Sequence, residues 1–558
     1  MFEDKTQQFL PFNISHALNG VAVTDVDNDG KFEWIITGYN GPNLVLKLKE
    51  GRYINIAELD SPYEALRDTT GAGRGVCACD IDGNGREEIY ILNTNHHYSG
   101  PKTYRDKLFI WRNDKYVDLF SDVVNAGLPM FAGRSVACLD RNGDGKYGFV
   151  LTTYADGGRG AFRLIEMNIT DHKNNISTGN IVLIDSAVEA GINYTTGGQG
   201  IAVGSIFGNR GLSDIFITAE GKTIFSNIGN NNLFQNIGNG KFTSIAPSAV
   251  ADKNQDGRGV SLCDLNNDGF MDIVYGNWLG PHRMFLQQRD SNGDVRFQNV
   301  ATKDFARTSP ISSVITADFN NDGYIDIFHG NMFYVLDYVE HKYVLTNNRL
   351  FTFKPTNNVL SLENIDIGDA EESTRSTTGA SVADLDGDGY LELIICHNDL
   401  NAPTLSIYEV KQVAGNHWYR IMPLTKFGAP ARGATVTLTL GGGIRLTRII
   451  DSGSGYMSQM EPVAHFGLGQ RLPKSVSIVW TDGRHIRRSV SENDIDTFYI
   501  ITYNGIMEAQ RNEWILAEPI KLNGEFWCWM ENWKDSTMCA CVGDGCGQVV
   551  VIVCFLNY

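Results

Sequence analysis

The chain has no long apolar run. Nothing in its 558 residues reaches the roughly 18 to 20 continuous apolar residues that a membrane-spanning helix needs. It begins Met-Phe-Glu-Asp-Lys, without an apolar signal segment. Basic charge is also in short supply: 47 Lys and Arg against 65 Asp and Glu leave a net charge of −18. Nucleic acid and anionic membrane surfaces would both be repelled, so neither is expected as a partner, and no membrane insertion is expected. Long amphipathic helical stretches are scarce while Gly, Asn and Asp are plentiful, which points to a mostly β protein with many turns. No Gly-x-Ser-x-Gly elbow, His-Glu-x-x-His motif or phosphate loop occurs. His96 and His97 form a candidate metal or acid/base pair only by composition. Adjacent residues in a strand point to opposite faces, so a pair of loop histidines is the better reading.

What the chain does have is one motif, repeated. Val21-Ala-Val-Thr-Asp-Val-Asp-Asn-Asp-Gly-Lys-Phe-Glu-Trp-Ile-Ile-Thr37 is an alternating strand, a loop of spaced carboxylates around one glycine, and a second apolar strand. Asp25, Asp27 and Asp29 sit two residues apart, so a turning backbone can aim all three at one point. Gly30 permits the positive φ that closes the loop, and Glu33 completes an all-oxygen shell suited to Ca²⁺. An EF-hand would carry its closing Glu at position twelve between two helices. Here position twelve is Ile36 and the acid falls at position nine, between strands.

Four further loops keep the pattern. Their expected calcium ligands are Asp80, Asp82, Asn84 and Glu88; Asp264, Asn266, Asp268 and Asp272; Asp318, Asn320, Asp322 and Asp326; and Asp384, Asp386, Asp388 and Glu392. The loop at Asp140 has lost its closing acid to Gly148, and the one beginning at Ile206 keeps only its glycine and Asp214. Neither degenerate loop is expected to be a good site, and the second should hold no ion. About five structural Ca²⁺ ions follow, and at two charges each they would take the net charge from −18 to −8. Affinity should fall in the weak extracellular class, on the order of 10⁻⁴ to 10⁻³ M, and somewhat tighter for the four-acid loops at Asp25 and Asp384.

The seven loops start at residues 25, 80, 140, 206, 264, 318 and 384. Units of that size hold about four short strands each, the make-up of a propeller blade, so the expected architecture is an all-β, seven-bladed propeller over residues 1–411. In the first unit the strands fall at Val21–Val26, Glu33–Gly38, Asn43–Leu48 and Tyr53–Ala57. Asn232-Leu-Phe-Gln-Asn-Ile-Gly-Asn-Gly-Lys-Phe242 reads as a hairpin with a tight Asn-Gly turn. Past residue 412 the texture changes to alternating strands with Gly-rich turns, enough for one small β-sandwich-like domain over 412–503. Residues 504–558 form a Cys- and Trp-rich tail of unknown fold. Of ten cysteines, Cys77, Cys79, Cys138, Cys263 and Cys396 lie in the repeats and most read as small buried core residues. Sequons at Asn13, Asn168, Asn175 and Asn193 are candidate glycosylation sites.

The Asp-x-Asp-x-Asp-Gly-x-x-Glu loops resemble FG-GAP/VCBS repeats, as found in integrin-α-like propellers. Asn416-His-Trp418, Gly428-Ala-Pro-Ala-Arg-Gly-Ala434, Glu461-Pro-Val-Ala-His-Phe-Gly-Leu-Gly469 and Val476-Ser-Ile-Val-Trp-Thr-Asp-Gly483 resemble the ASPIC/UnbV domain. Together with Gly38-Tyr-Asn-Gly-Pro-Asn-Leu-Val-Leu-Lys47 and Val274-Tyr-Gly-Asn-Trp-Leu-Gly-Pro-His-Arg283, they make the chain similar to the cartilage acidic proteins of animals over roughly residues 15 to 503. The resemblance implies a secreted, calcium-binding glycoprotein of the extracellular matrix, with roles in cartilage and neural tissue and with extracellular receptors or matrix components, glycans included, as partners. It also implies a signal peptide that this sequence does not contain, and an EGF-like module whose cysteine framework the tail does not reproduce. The expected start is therefore incomplete and the expected tail atypical. The expected function is that of a non-enzymatic interaction scaffold. A propeller lyase or hydrolase, or a lectin-like binder, is the alternative.

Overall fold

The computed structural model describes residues 1–39, 41–94, 104–128, 131–153, 160–168, 181–208, 211–220, 229–337, 342–356, 359–398, 404–491, 494–510, 520–522, 526–533, 536–542 and 550–553. His96, His97 and the sequon at Asn175 lie outside them.

Residues 2–410 form seven four-stranded antiparallel sheets, one for each repeat. The first holds Leu18–Thr24, Glu33–Gly38, Leu44–Lys49 and Arg52–Asn55 in that order. These strands lie close to those expected, because apolar alternation marks a strand well and its ends poorly. The two inner strands of each sheet are apolar on both faces. Val21, Ala22, Val23, Trp34, Ile35 and Ile36 are all fully buried, packed between neighbouring sheets as in a layered β core. The first strands carry a register irregularity near their start, as at Leu18/Val21, Gly73/Val76 and Gly133/Val136. The seventh sheet takes its outer strand from the other end of the chain, with Phe2–Asp4 pairing with Leu405–Val410. The sixth carries an extra hairpin, Tyr334–Asp337 with Lys342–Leu345. The expected Asn-Gly hairpin is present as Asn232–Gly238 and Lys241–Ser244, with Asn239 and Gly240 both at positive φ as its tight turn demands.

The second region places Ala464–Gly469, His417–Pro423, Thr497–Ile501 and Met507–Gln510 in one sheet, and Arg445–Ile449, Thr435–Leu440, Pro473–Val479 and His485–Ser489 in another. Tyr419, Ile421, Val436, Leu438, Phe466, Val476, Ile478 and Trp480 are buried between them. A segment of this domain threads among the first strands of the repeat sheets. Ser452 O accepts from Cys138 N (2.7 Å), Met457 O from Val76 N (3.3 Å), and Gly455 and Val260 exchange a reciprocal pair (2.7 and 2.8 Å). Gln459 donates to Val21 O through its backbone (3.0 Å), and its amide side chain accepts from Ala78 N (2.8 Å). Residues 1–509 are thus one compact unit.

Two of the five repeat cysteines, Cys79 and Cys138, form a disulfide, while Cys77, Cys263 and Cys396 are free and buried. The expectation of small core residues holds for those three. Residues 510–558 form a separate unit, where Ile520–Leu522, Phe526–Trp533, Ser536–Val542 and Val550–Val553 make an antiparallel meander.

Candidate metal centres

Each loop joins the first strand of a sheet to its second, and its acids are fixed by the backbone they turn. The acid at position one accepts from the N–H of the glycine at position six: Gly30 to Asp25 (2.8 Å), Gly85 to Asp80 (2.9 Å), Gly269 to Asp264 (2.9 Å), Gly323 to Asp318 (2.8 Å) and Gly389 to Asp384 (3.0 Å). Those glycines lie at φ between 85° and 92°, where a Cβ would be strained. The acid at position nine reaches back to the N–H of position two: Glu33 to Val26 (2.7 Å), Glu88 to Ile81 (2.9 Å), Asp272 to Leu265 (2.9 Å), Asp326 to Phe319 (3.1 Å) and Glu392 to Leu385 (2.8 Å). A second left-handed residue stands at position four, as Asn28, Gly83, Asn267, Asn321 or Gly387. Only Asn and Gly occur there, a signal in the sequence that marks the turn as clearly as the glycine at position six does.

These bonds leave carboxylate oxygens facing the middle of the loop. Asp384, Asp386, Asp388 and Glu392 bring one oxygen each within 4.8 Å of one another, as do Asp25, Asp27 and Asp29, and Asp80, Asp82 and Glu88. Asp27 Oδ1, Asp326 Oδ1 and Asp384 Oδ1 are buried without a hydrogen-bond partner. Burial pushes Asp25, Asp80 and Asp264 up to about 6, Asp318, Asp384 and Asp386 up to about 7, and Asp272 up to about 8. Burial also raises Glu88, Asp326 and Glu392 well above the usual carboxylate range. Clustered, desolvated carboxylates with orphaned oxygens fit a hard divalent cation with oxygen ligands. In the fifth and sixth loops the oxygens are not gathered as closely, and Asn266 and Asn320 each turn toward the acid at position five: Asn266 Nδ2 donates to Asp268 Oδ2 (2.8 Å), and Asn320 Oδ1 accepts from Asp322 N (3.0 Å). In the second loop Asn84 Oδ1 accepts from Arg86 N (2.8 Å).

The first loop departs from its sequence reading. Lys47, from the third strand of the same sheet, places its ammonium 2.7 Å from Asp27, 2.8 Å from Asp29 and 2.9 Å from Glu33. Three of the four expected ligands are thus already compensated by a cation of the protein, which the acid count does not include. Burial opposes the charge on Lys47, yet its bonds to Asp27, Asp29 and Glu33 raise its pKa overall. Nothing in the loop itself announces this, because the lysine lies fourteen residues past Glu33.

The degenerate loops hold their remaining acids by other means. In the third, Asp140 caps Gly145 N (2.8 Å) and accepts from Thr481 Oγ1 of the second domain (2.6 Å). In the fourth, Asp214 accepts from Ile206 N, Phe207 N and Asn236 N, all at 2.9 Å. That carboxylate has its partners.

The second domain packs on this loop face with two buried arginines, Arg432 and Arg420, and the half-buried Arg448, which motif reading left without a role. Arg432, fully buried, donates from Nε to Glu87 Oε1 (2.5 Å), from Nη2 to Glu87 Oε2 (3.0 Å) and Val23 O (2.9 Å), and from Nη1 to Asp451 O (2.8 Å). Arg420 bridges Asp384 (2.6 Å) and Glu461. His465 Nε2 meets Asn321 Oδ1 at 2.6 Å, and Arg448 lines with Asp318, Glu461 and His465 a partly open cavity of about 90 Å³. Trp418 lies on the seventh loop, where a Cβ on Gly389 would stand 1.9 Å from its indole.

Comparison with known proteins agrees with both regions. Residues 425–505 match the family described as ASPIC and UnbV, and residues 208–275 the FG-GAP-like repeat. Cartilage acidic protein 1 of Xenopus tropicalis is 49% identical over 519 residues, covering 90% of this chain and 77% of that protein. The protein of the same name from Homo sapiens is 45% identical over 536 residues, covering 94% and 77%. That from Mus musculus is 46% identical over 519 residues, covering 90% and 77%.

Proposed function

The chain belongs to the cartilage acidic protein 1 family, and from that premise we propose that it is a secreted, calcium-stabilised interaction protein of the extracellular matrix, without enzymatic activity. Its scaffold is a closed seven-bladed propeller. What supports the ring is the meeting of first and last sheets, where Thr378 Oγ1 donates to Leu18 O at 3.0 Å, and the outer strand that the chain start lends to the seventh sheet. What supports calcium is the mutual closeness of the carboxylates in the first, second and seventh loops and the unpartnered buried oxygens of Asp27, Asp326 and Asp384 in the first, sixth and seventh. The ions neutralise charge that folding would otherwise concentrate, and they fix the turn between strands. Asn13 and Asn193 are exposed, which suits their reading as glycan acceptors.

The scaffold reading is preferred to the enzyme because the segment from Ser452 to Gln459 fills the space among the first strands. Glu461 is held by Arg420 and His465 Nε2 by Asn321, while Glu461 Oε1 and His465 Nδ1 are buried without a partner. Thermal unfolding with calcium, after chelation and after calcium is restored, tests the proposal alongside a count of bound ions. A large reversible loss on chelation is expected. Unchanged stability with no bound ion would sink it.

A further inference from the structure

An acidic protein has one surface built almost without acids. The region 412–509 carries 10 Lys and Arg against 7 Asp and Glu, in a chain whose net charge is −18. Its second sheet turns one face to the core through Val436, Leu438, Val476, Ile478 and Ile486. Alternation then fixes what the opposite face presents. Thr439, Thr437 and Thr435 run down the strand Thr435–Leu440, and Ser475 and Ser477 down its neighbour Pro473–Val479; Thr437, Thr447 and Ser475 are buried, and Thr435, Thr439 and Ser477 are half-buried. Arg445 closes one side of this hydroxyl field, opposite Thr439, and Arg487 the other, opposite Ser477. His485 and Ser489 flank Arg487 on the same face, and no carboxylate occurs on it.

The arginines are exposed. Arg487 donates to Ser475 Oγ (3.0 Å) and His485 Nε2 contacts Ser477 Oγ (2.6 Å), so hydroxyls and cations form one connected layer. Arg484 and Arg488, on the same edge, rest on the carbonyls of Tyr503 (2.8 Å) and Gly505 (3.2 Å). Among the described residues none of these four arginines has a carboxylate within ion-pair distance.

A second, independent observation comes from the repeat sheets. The loop that abuts this face is the fourth, the one whose early carboxylates are gone: a Cβ on Gly211 would lie 2.0 Å from Trp480 O and 3.2 Å from Val479 Cγ1. In their place stands Arg289, exposed, donating to Phe207 O (2.8 Å). The early carboxylates are therefore missing from the loop that abuts this face at Val479 and Trp480, while the fifth loop, with Asp264 and Asp268, abuts it at Thr447.

We propose that this face binds a sulfated polysaccharide chain. Sulfate esters take N–H and O–H donors, and guanidinium groups grip them two bonds at a time. Arg445 and Arg487 stand three strand spacings apart and two residues out of register, roughly 16 Å, with the hydroxyls of Thr439 and Ser475 between them, a layout for a linear ligand with charges at intervals. A protein partner would need apolar or aromatic anchors, and the two apolar residues of the face, Ile449 and Val479, are turned against Gly204 and Gly211 of the repeat sheets. The proposal deepens the matrix-interaction reading and rests on it for the partner's location.

The test uses the full chain in calcium and immobilised heparin dodecasaccharide at 150 mM NaCl, with fully desulfated heparin as the blank. Retention on heparin and none on the blank is expected. Arg487→Glu should weaken binding about tenfold and Arg445→Glu/Arg487→Glu about fiftyfold, with the slope of log K against log salt reduced by about 1 per arginine. Arg52→Glu, the same charge change on the outer strand of the first sheet, should leave binding unchanged. No retention, or an equal loss in Arg52→Glu, overturns the proposal. Competition by polyglutamate or single-stranded DNA at equal charge overturns it in favour of an acidic peptide or a nucleic acid. The chelation response of the same preparation separates the two readings. Calcium-dependent stability without heparin binding defeats only this proposal, and heparin binding without any calcium response defeats only the calcium loops.

Discussion

The fourth loop and the fifth are neighbours with the same turn and opposite means of holding it. In the fourth, Asp214 is satisfied by three backbone N–H groups, and the rest of the loop has no early carboxylate to neutralise. In the fifth, the equivalent Asp272 takes the same bond from position two and one more from Gln287 N (2.8 Å), but it shares its surroundings with Asp264 and Asp268, which raise its pKa further after burial has done so. The fourth loop has no second acid beside Asp214, whereas the fifth gathers charge that the proposed calcium ion would neutralise; on that proposal the acid at position nine has two separable jobs, to cap the strand and to hold the ion.

Chelation should expose that difference most strongly. With the proposed affinities, millimolar calcium should stabilise each intact loop by about 0.4 to 1.4 kcal/mol, so five loops together should contribute about 2 to 7 kcal/mol. The sign of the pH effect follows from the raised pKa values. Asp272, Asp318 and Asp386 have folded values of about 8, 7 and 7 against 3.8 when unfolded. Without calcium the folded state therefore holds more protons across that window, and stability falls as pH rises from about 4 to about 8. Calcium-free protein should melt at a higher temperature at pH 5 than at pH 8, and calcium should abolish the trend. Calorimetry at both pH values checks it, and a calcium-free stability that rises with pH would contradict it.

Next in size is the clamp that joins the two domains. Arg432→Met leaves Glu87 buried and unpaired, which should cost about 3 to 5 kcal/mol, whether or not calcium is present. Denaturant titration gives the value, and Glu87→Gln/Arg432→Met should recover part of it, because neither group is then left charged without a partner. A loss seen only in calcium would place the clamp's effect in the loops instead.

The paired substitutions Asp214→Asn and Asp272→Asn sharpen the neighbour comparison. Asp214→Asn leaves backbone donors without their acceptor and should cost about 1 to 3 kcal/mol with or without calcium. Asp272→Asn should cost a similar amount in calcium and little after chelation, since the charge it removes is one the empty loop must bury. Equal behaviour of the two variants would dissolve the distinction.

Much of this was legible because the loop motif is local. Carboxylate spacing, the glycine at position six and strand alternation all act within about a dozen residues, and the sheets appear where they predict. What stayed hidden involves distance. Arg432 meets Glu87, and Thr481 meets Asp140, across more than 300 residues, and no periodicity carries such a pairing. Both Arg432 and His465 belong to motifs that resemble a known domain, but a motif says that a residue matters without saying what it touches. The Cys79–Cys138 disulfide was missed for the same reason. Its partners lie on first strands of adjacent sheets, which alternation places in a core without assigning neighbours.

Lys47 shows how one distant residue can reverse a count. By acids alone the first loop ranks with the seventh, yet the Lys47 ammonium touches three of its four carboxylates. A bound Ca²⁺ has to displace that ammonium or share the carboxylates with it, and either course weakens the site. Lys47→Met keeps much of the apolar stem while removing the charge. In calcium the variant should lose less than about 1 kcal/mol, because the ion takes over the neutralisation. After chelation it should lose more than the parent, since Asp27, Asp29 and Glu33 are then left with no cation at all. Isothermal titration should find one site strengthened in the variant. An unchanged titration would mean that Lys47 never competes for the loop, and the ranking by acid count would stand.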